Sequence, residues 1–98
     1  MIVLYDLPMV DKSSRKVYEK FRSELKKLAY RQLQESVYVK HLRNVGYRDD
    51  ELKRLNQIAP KSGNLLAFSL TMAQYKEIRV LRGEGIPFDY QFSSVVKM

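Results

Sequence analysis

An α+β domain, with helices packed on a sheet that contains antiparallel pairs, is predicted by three features of the sequence. Residues 2–6, Ile-Val-Leu-Tyr-Asp, form a short apolar and β-branched run that stops before Pro8. Val17, Phe21, Leu25 and Leu28 recur at intervals of four, four and three, the period of a helix with one buried face. A second apolar run, Leu65-Leu66-Ala67-Phe68-Ser69-Leu70, follows the turn Lys61-Ser62-Gly63-Asn64 and reads as another strand.

Taken in order, the first strand is apolar throughout, which requires cover on both of its faces. A polar link, Asp11-Lys12-Ser13-Ser14, leads into a helix that runs to about Tyr30 with the four-residue stripe inward. At about 100° per residue, Lys16, Lys20 and Lys27 fall along one flank of that stripe and Arg15, Arg22 and Lys26 on the far side. Residues 31–42 carry Leu33, Val37 and Val39 at even spacing, as in one long strand or two strands sharing a bend. Glu35 breaks the apolar parity, so a kink or bulge is expected at Glu35-Ser36. Asn44 to Arg48, with Gly46, is a turn, and Asp49-Asp50-Glu51 offers an N-cap and acids that suit a helix dipole. That short helix turns Leu52, Leu55 and Ile58 inward and ends at Pro60.

After the Leu65–Leu70 strand, Thr71 and Gln74 match a capping box that opens a helix with Tyr75, Ile78 and Leu81 inward and Gly83 as its stop. The tail from Ile86 to Met98 alternates in part and has the character of an edge strand paired with a partner. The whole order is that of a ferredoxin-like βαββαβ sandwich with a C-terminal extra helix and strand.

At 98 residues the chain fits one domain, residues 1–98, with the tail from about 84 to 98 assigned to dimer or partner contacts. A chain this short leaves much surface in water, so a 45% apolar composition points to further burial in a homodimer. The absence of cysteine excludes disulfides, thiolate metal sites and a catalytic thiol, and fits a reducing compartment. No apolar run is long enough to span a bilayer, and Met1 to Asp6 lacks the features of a signal peptide, so a cytoplasmic location is expected. The net charge is +7, and from Lys12 to Arg31 eight basic residues face only Glu19 and Glu24. Such a field draws phosphate backbones, with salt-sensitive affinity; a solvated basic face serving solubility is the alternative. Contact with membranes is disfavoured, because the basic helix has only a narrow apolar face that the core needs.

Among residues that carry chemistry, Asp6 stands at the C-terminal end of an otherwise buried strand, where α/β folds place reactive groups. Such a carboxylate can bind Mg²⁺, which accepts one or two protein carboxylates and keeps waters and phosphate oxygens. It can equally cap the following turn by accepting backbone N–H groups around Leu7 to Met9. One carboxylate makes a poor metal cage, and a second Asp6 across a two-fold axis would complete it. His41, the only histidine, has no triad partner at a suitable spacing and reads as a strand-end polar residue. The four glycines form no phosphate loop, and Leu65–Leu70 does not match the aromatic pattern of an RNA-recognition sheet. The scattered tyrosines read as packing residues before base-stacking ones.

Four segments together resemble a known family. They are Ile2-Val3-Leu4-Tyr5-Asp6-Leu7-Pro8, Tyr18-Glu19-Lys20-Phe21-Arg22, Gln34-Glu35-Ser36-Val37-Tyr38-Val39-Lys40 and Lys61-Ser62-Gly63-Asn64-Leu65. In this order they are similar to the CRISPR-associated Cas-two family, most of all the branch that accompanies type II systems, and the likeness runs from Ile2 to about Gly83. It implies a ferredoxin-like homodimer that sits between dimers of the CRISPR integrase, the Cas-one protein, grips duplex DNA by its phosphates and helps insert new spacers. Arg15, Lys16, Lys20, Arg22, Lys26 and Lys27 are then the expected phosphate contacts. Some family members are described as metal-dependent nucleases on RNA or DNA, with the strand-end aspartate as the metal position; Asp6 matches it and would be the catalytic residue. Met9 stands where the branch often has Thr, and Ala29-Tyr30 where it often has Gly before the second strand.

Overall fold

A computed structural model describes residues 1–7 and 11–83. Strand β1 (Ile2–Asp6) is followed by helix α1 (Lys12–Lys27), the hairpin of β2 (Arg31–Gln34) and β3 (Val37–Val39), and a 3₁₀ turn (Val45–Tyr47). Helix α2 (Arg48–Ile58), strand β4 (Asn64–Phe68) and the short helix α3 (Met72–Lys76) complete the order. The four strands form one sheet in the order β2-β3-β1-β4 with every neighbouring pair antiparallel. This is the ferredoxin-like βαββαβ topology that the sequence predicts, with the extra helix after it; the expected C-terminal strand lies outside the described residues.

β1 is central, so its side chains are claimed alternately by two cores. Val3 and Tyr5 join Tyr18, Phe21 and Leu25 of α1, Leu55 of α2, Tyr30 and Tyr38. Ile2 joins Val39 and Tyr75 on the opposite face, with Leu4, Val37, Leu70 and Met72 packed beside them. The Tyr5 ring meets Phe21 edge-on at 4.7 Å and lies parallel to Tyr18 at 6.1 Å, fixing α1 across the strand. Tyr18 donates to the Glu35 carbonyl at 2.6 Å and shares a bond of 3.0 Å with the Tyr38 hydroxyl, so α1 is also tied to the hairpin.

Several boundaries differ from the sequence reading for identifiable reasons. The polar link belongs to α1: Asp11 is the N-cap, accepting from the Ser14 amide at 2.8 Å, and that bond holds its carboxyl below the usual range. Glu35 and Ser36 form the hairpin turn itself, and the register irregularity falls between Gln32 and Gln34. The acids at 49–51 do not cap α2; Tyr47 holds the N-cap position without a side-chain bond, and the acids occupy the first turn. Leu52 is exposed instead of inward. The Thr71–Gln74 capping box is present in both directions, but α3 ends at Lys76 with Glu77 as its cap, so Gly83 is not the stop and Leu81 is 94% exposed.

α1 ends in a Schellman motif: the Ala29 amide bonds the Lys26 carbonyl and the Tyr30 amide the Leu25 carbonyl, both at 3.0 Å. Ala29 thereby sits at φ 72, a left-handed conformation that costs a residue with a Cβ about 1 kcal/mol or more. Ala29→Gly is expected to stabilise the fold by about 1 kcal/mol, read as a rise of about 4–8 °C in the thermal midpoint. An unchanged or lower midpoint would contradict this.

The buried tyrosines couple stability to alkaline pH. Burial raises the phenols of Tyr5, Tyr30, Tyr38 and Tyr75 above their ordinary value, Tyr75 to about 12. As pH rises past 10 the unfolded chain sheds these protons first, so the folded state binds more of them and stability falls with pH. The urea midpoint is expected to hold to about pH 9 and drop steeply by about pH 11, and Tyr38→Phe should reduce the drop.

Candidate nucleic-acid interface

α1 is one stripe of core contacts surrounded by cations. Phe21 and Leu25 are buried and Val17 and Leu28 half-buried, as their spacing predicts, and Tyr18 adds a fifth inward residue that the spacing did not single out. Arg15, Lys16, Lys20, Arg22, Lys26 and Lys27 are all exposed. Lys27 pairs with Glu24 at 3.4 Å, an exposed contact of little energetic weight. Among the described residues the other five have no ion-pair partner, so their charge is free to meet an anion. From Arg15 to Lys26 the helix rises by about 16 Å, which makes the patch a track and not a point.

A groove of about 590 Å³ beside this track brings in a residue from elsewhere in the chain. Lys20 and Phe21 line one side of it, and Pro60, Lys61 and Ser62 the other. Lys61 reads in sequence only as part of a turn; it shares this groove with Lys20 because the end of α2 and the turn after it lie against α1.

Asp6 ends β1 with its side chain exposed, opposite Asn64 of β4. Its carbonyl oxygen lies 2.7 Å from where a Cβ on Gly63 would stand, and Gly63 has φ +83, so only glycine fits there. The Lys61–Asn64 turn is therefore pressed against the strand end that carries the acid. Among the described residues no hydrogen bond or ion pair engages the Asp6 carboxylate, and no group of three His, Cys, Asp or Glu side chains comes together. Among the described residues a single carboxylate thus stands at this strand end, too few to cage a metal ion. His41 follows β3, half-buried, at the opposite end of the sheet.

The acid that sequence reasoning misplaced is Glu51. It is 1% exposed and accepts from the Tyr30 hydroxyl at 2.7 Å, from Lys40 Nζ at 3.1 Å and from Arg54 at 3.3 Å. Its neighbours Asp49 and Asp50 are exposed, and nothing in the run of three acids marks the third as inward. The clue was available only as helical phase: Glu51 lies four residues before Leu55, on the same face.

Topology, a free cationic helix face and a strand-end acid define the class, a ferredoxin-like α+β domain with a basic surface on its first helix. The model of the family described as CRISPR associated protein Cas2 matches residues 1–78. The chain belongs to this Cas2 family. Among curated relatives, the CRISPR-associated endoribonuclease Cas2 of Campylobacter jejuni is 32% identical over 89 residues, covering 91% of this chain and 62% of that protein. Proteins of the same name from Treponema denticola and Streptococcus mutans are 32% and 34% identical, covering 87% and 86% of this chain and 84% and 78% of theirs. No helix among the described residues is long and apolar enough to cross a membrane.

Proposed function

We propose that this chain acts in the cytoplasm as a homodimeric scaffold of CRISPR adaptation, gripping the backbone of duplex DNA and bridging dimers of the integrase that inserts new spacers. The observation that supports this reading best is the set of exposed, uncompensated cations along α1, joined by Lys61. Phosphates bind such residues with release of counterions, and a folded monomer gains nothing from leaving like charges so close together.

A second copy is favoured by the sheet face opposite α1. Leu66 and Phe68 of β4 point away from the main core and are 63% and 43% exposed. They continue the row of Ile2, Leu4 and Val37, beside a groove of about 580 Å³. Pairing two such faces removes apolar surface from water and brings two α1 tracks into one particle.

The relatives' name, CRISPR-associated endoribonuclease, lends support to a nuclease, and the second reading is a phosphodiesterase acting on RNA or DNA with Mg²⁺. Asp6 and its copy in the partner would hold the ion, which when bound polarises a phosphoryl oxygen. The residues of this chain would position the backbone, with Lys20 and Lys61 lining the groove beside α1. Asp6→Asn separates the readings. The scaffold requires that the variant bind duplex DNA within about twofold of the native protein, since no phosphate contact is lost, and that it support spacer acquisition. Loss of acquisition together with loss of metal-dependent cleavage would place the nuclease first.

A further inference from the structure

We propose that the cavity at the end of the sheet opposite Asp6 binds a nucleoside phosphate, its base in the apolar interior and its phosphate on Arg43 and Arg48. The cavity holds about 300 Å³, the lower end of the range in which small-molecule sites fall. It lies where β1 begins and β3 ends, between the 3₁₀ turn and the start of α3. Ile2, Val39, Leu70 and Met72 form its apolar part, and Met72 and Tyr75 add the polarizable groups on which a planar base packs well.

Its charge is of one sign. Lys40, Arg43 and Arg48 line it beside His41, and no Asp or Glu does. Lys40 is committed to Glu51, but Arg43 and Arg48 are exposed and have no ion-pair partner among the described residues. Arg48 is the first residue of α2, where a cation opposes the helix dipole, so the helix draws no stability from it. Asp49 and Asp50, next in that turn, do not line the cavity. Two planar guanidinium groups flanking the 3₁₀ turn suit the oxygens of a phosphate, which each can meet in bidentate fashion. An apolar lining with no acid distinguishes this site from the groove beside the α1 track, which Glu24 also lines. The inference does not depend on the clamp reading.

The test uses the full chain and adenosine monophosphate, followed by methyl NMR and calorimetry. Saturable one-to-one binding is expected, with shifts at Val45, Leu70 and Met72 and none at Leu28. Arg43→Ala with Arg48→Ala, both at exposed positions, should weaken it by about tenfold or more, since each removes a charge-assisted bond. Lys16→Ala with Lys20→Ala should leave it unchanged. Competition by a duplex with a single-nucleotide overhang, and not by a blunt duplex, would assign the site to a nucleic-acid end; no competition by either would assign it to a free nucleotide. The proposal is overturned if binding is absent at millimolar nucleotide or unaffected by the double substitution. It is also overturned if inorganic phosphate or dodecanoate binds as tightly as the nucleotide.

Discussion

Glu51→Ala is expected to lower stability by about 3 kcal/mol, which in a domain of this size lowers the thermal midpoint by about 12 °C or more. The reason lies in what the carboxylate leaves behind. Tyr30 is buried, and its hydroxyl bonds Glu51 at 2.7 Å. Lys40 is only 21% exposed, with its ammonium bonded to both carboxylate oxygens at 3.1 Å and 5.6 Å from the Tyr30 ring. Removing the acid strands a donor and a cation at a site where water has little access. Arg54, more than half exposed, can turn to solvent and contributes little to the loss. Glu51→Gln keeps an acceptor for Tyr30 and should fall between the native protein and the alanine variant. A midpoint within about 4 °C of native for Glu51→Ala would show that the cluster adds no net stability. The cluster joins Tyr30 after α1, Lys40 after β3 and the first turn of α2, so its loss loosens the frame that holds α1 on the sheet.

Substituting Lys16, Lys20, Arg22 and Lys26 together by Ala is expected to weaken duplex DNA binding by at least about a hundredfold at moderate salt while the thermal midpoint stays within a few degrees. Each lost phosphate contact removes a charge-assisted bond and the counterion release that accompanies it, about tenfold in affinity apiece near 0.1 M salt. All four side chains are exposed and none is paired among the described residues, so folding loses little. Adding Lys61→Ala should weaken binding further, because Lys61 shares the groove with Lys20. Equal weakening by exposed cations away from α1, such as Lys53, would mean that total charge and not its placement governs binding.

The two expectations differ in how far the sequence discloses them. The period of Val17, Phe21, Leu25 and Leu28 shows which side of α1 faces the sheet, and therefore which cations face solvent; the structure agrees at each position. Asp6 is legible for a similar reason, since a charged residue ending an apolar run must emerge at the strand end. Glu51 was not, because burial of a carboxylate depends on donors from Tyr30 and Lys40, which lie 21 and 11 residues away in the chain. The exposure of Leu66 and Phe68 is not legible either. Their apolar run reads as a strand without showing which face is covered, and in this chain by itself β4 presents alternate residues to solvent. Lys61 shares a groove with Lys20 because the end of α2 and the turn after it lie against α1, which no local spacing specifies. Local period and strand ends are thus written in the sequence, whereas charge partners are set by topology.

The central claim, that the basic helix is a phosphate clamp, is tested most directly by the salt dependence of duplex DNA affinity. A plot of the logarithm of the association constant against the logarithm of salt concentration should fall with a slope of about 0.9 per phosphate contact, and steeper than about 4 for the two α1 tracks of the proposed homodimer. Lys16→Ala with Lys20→Ala should reduce that slope by about 2 or more. A slope near zero, or one unchanged by these substitutions, would contradict the clamp.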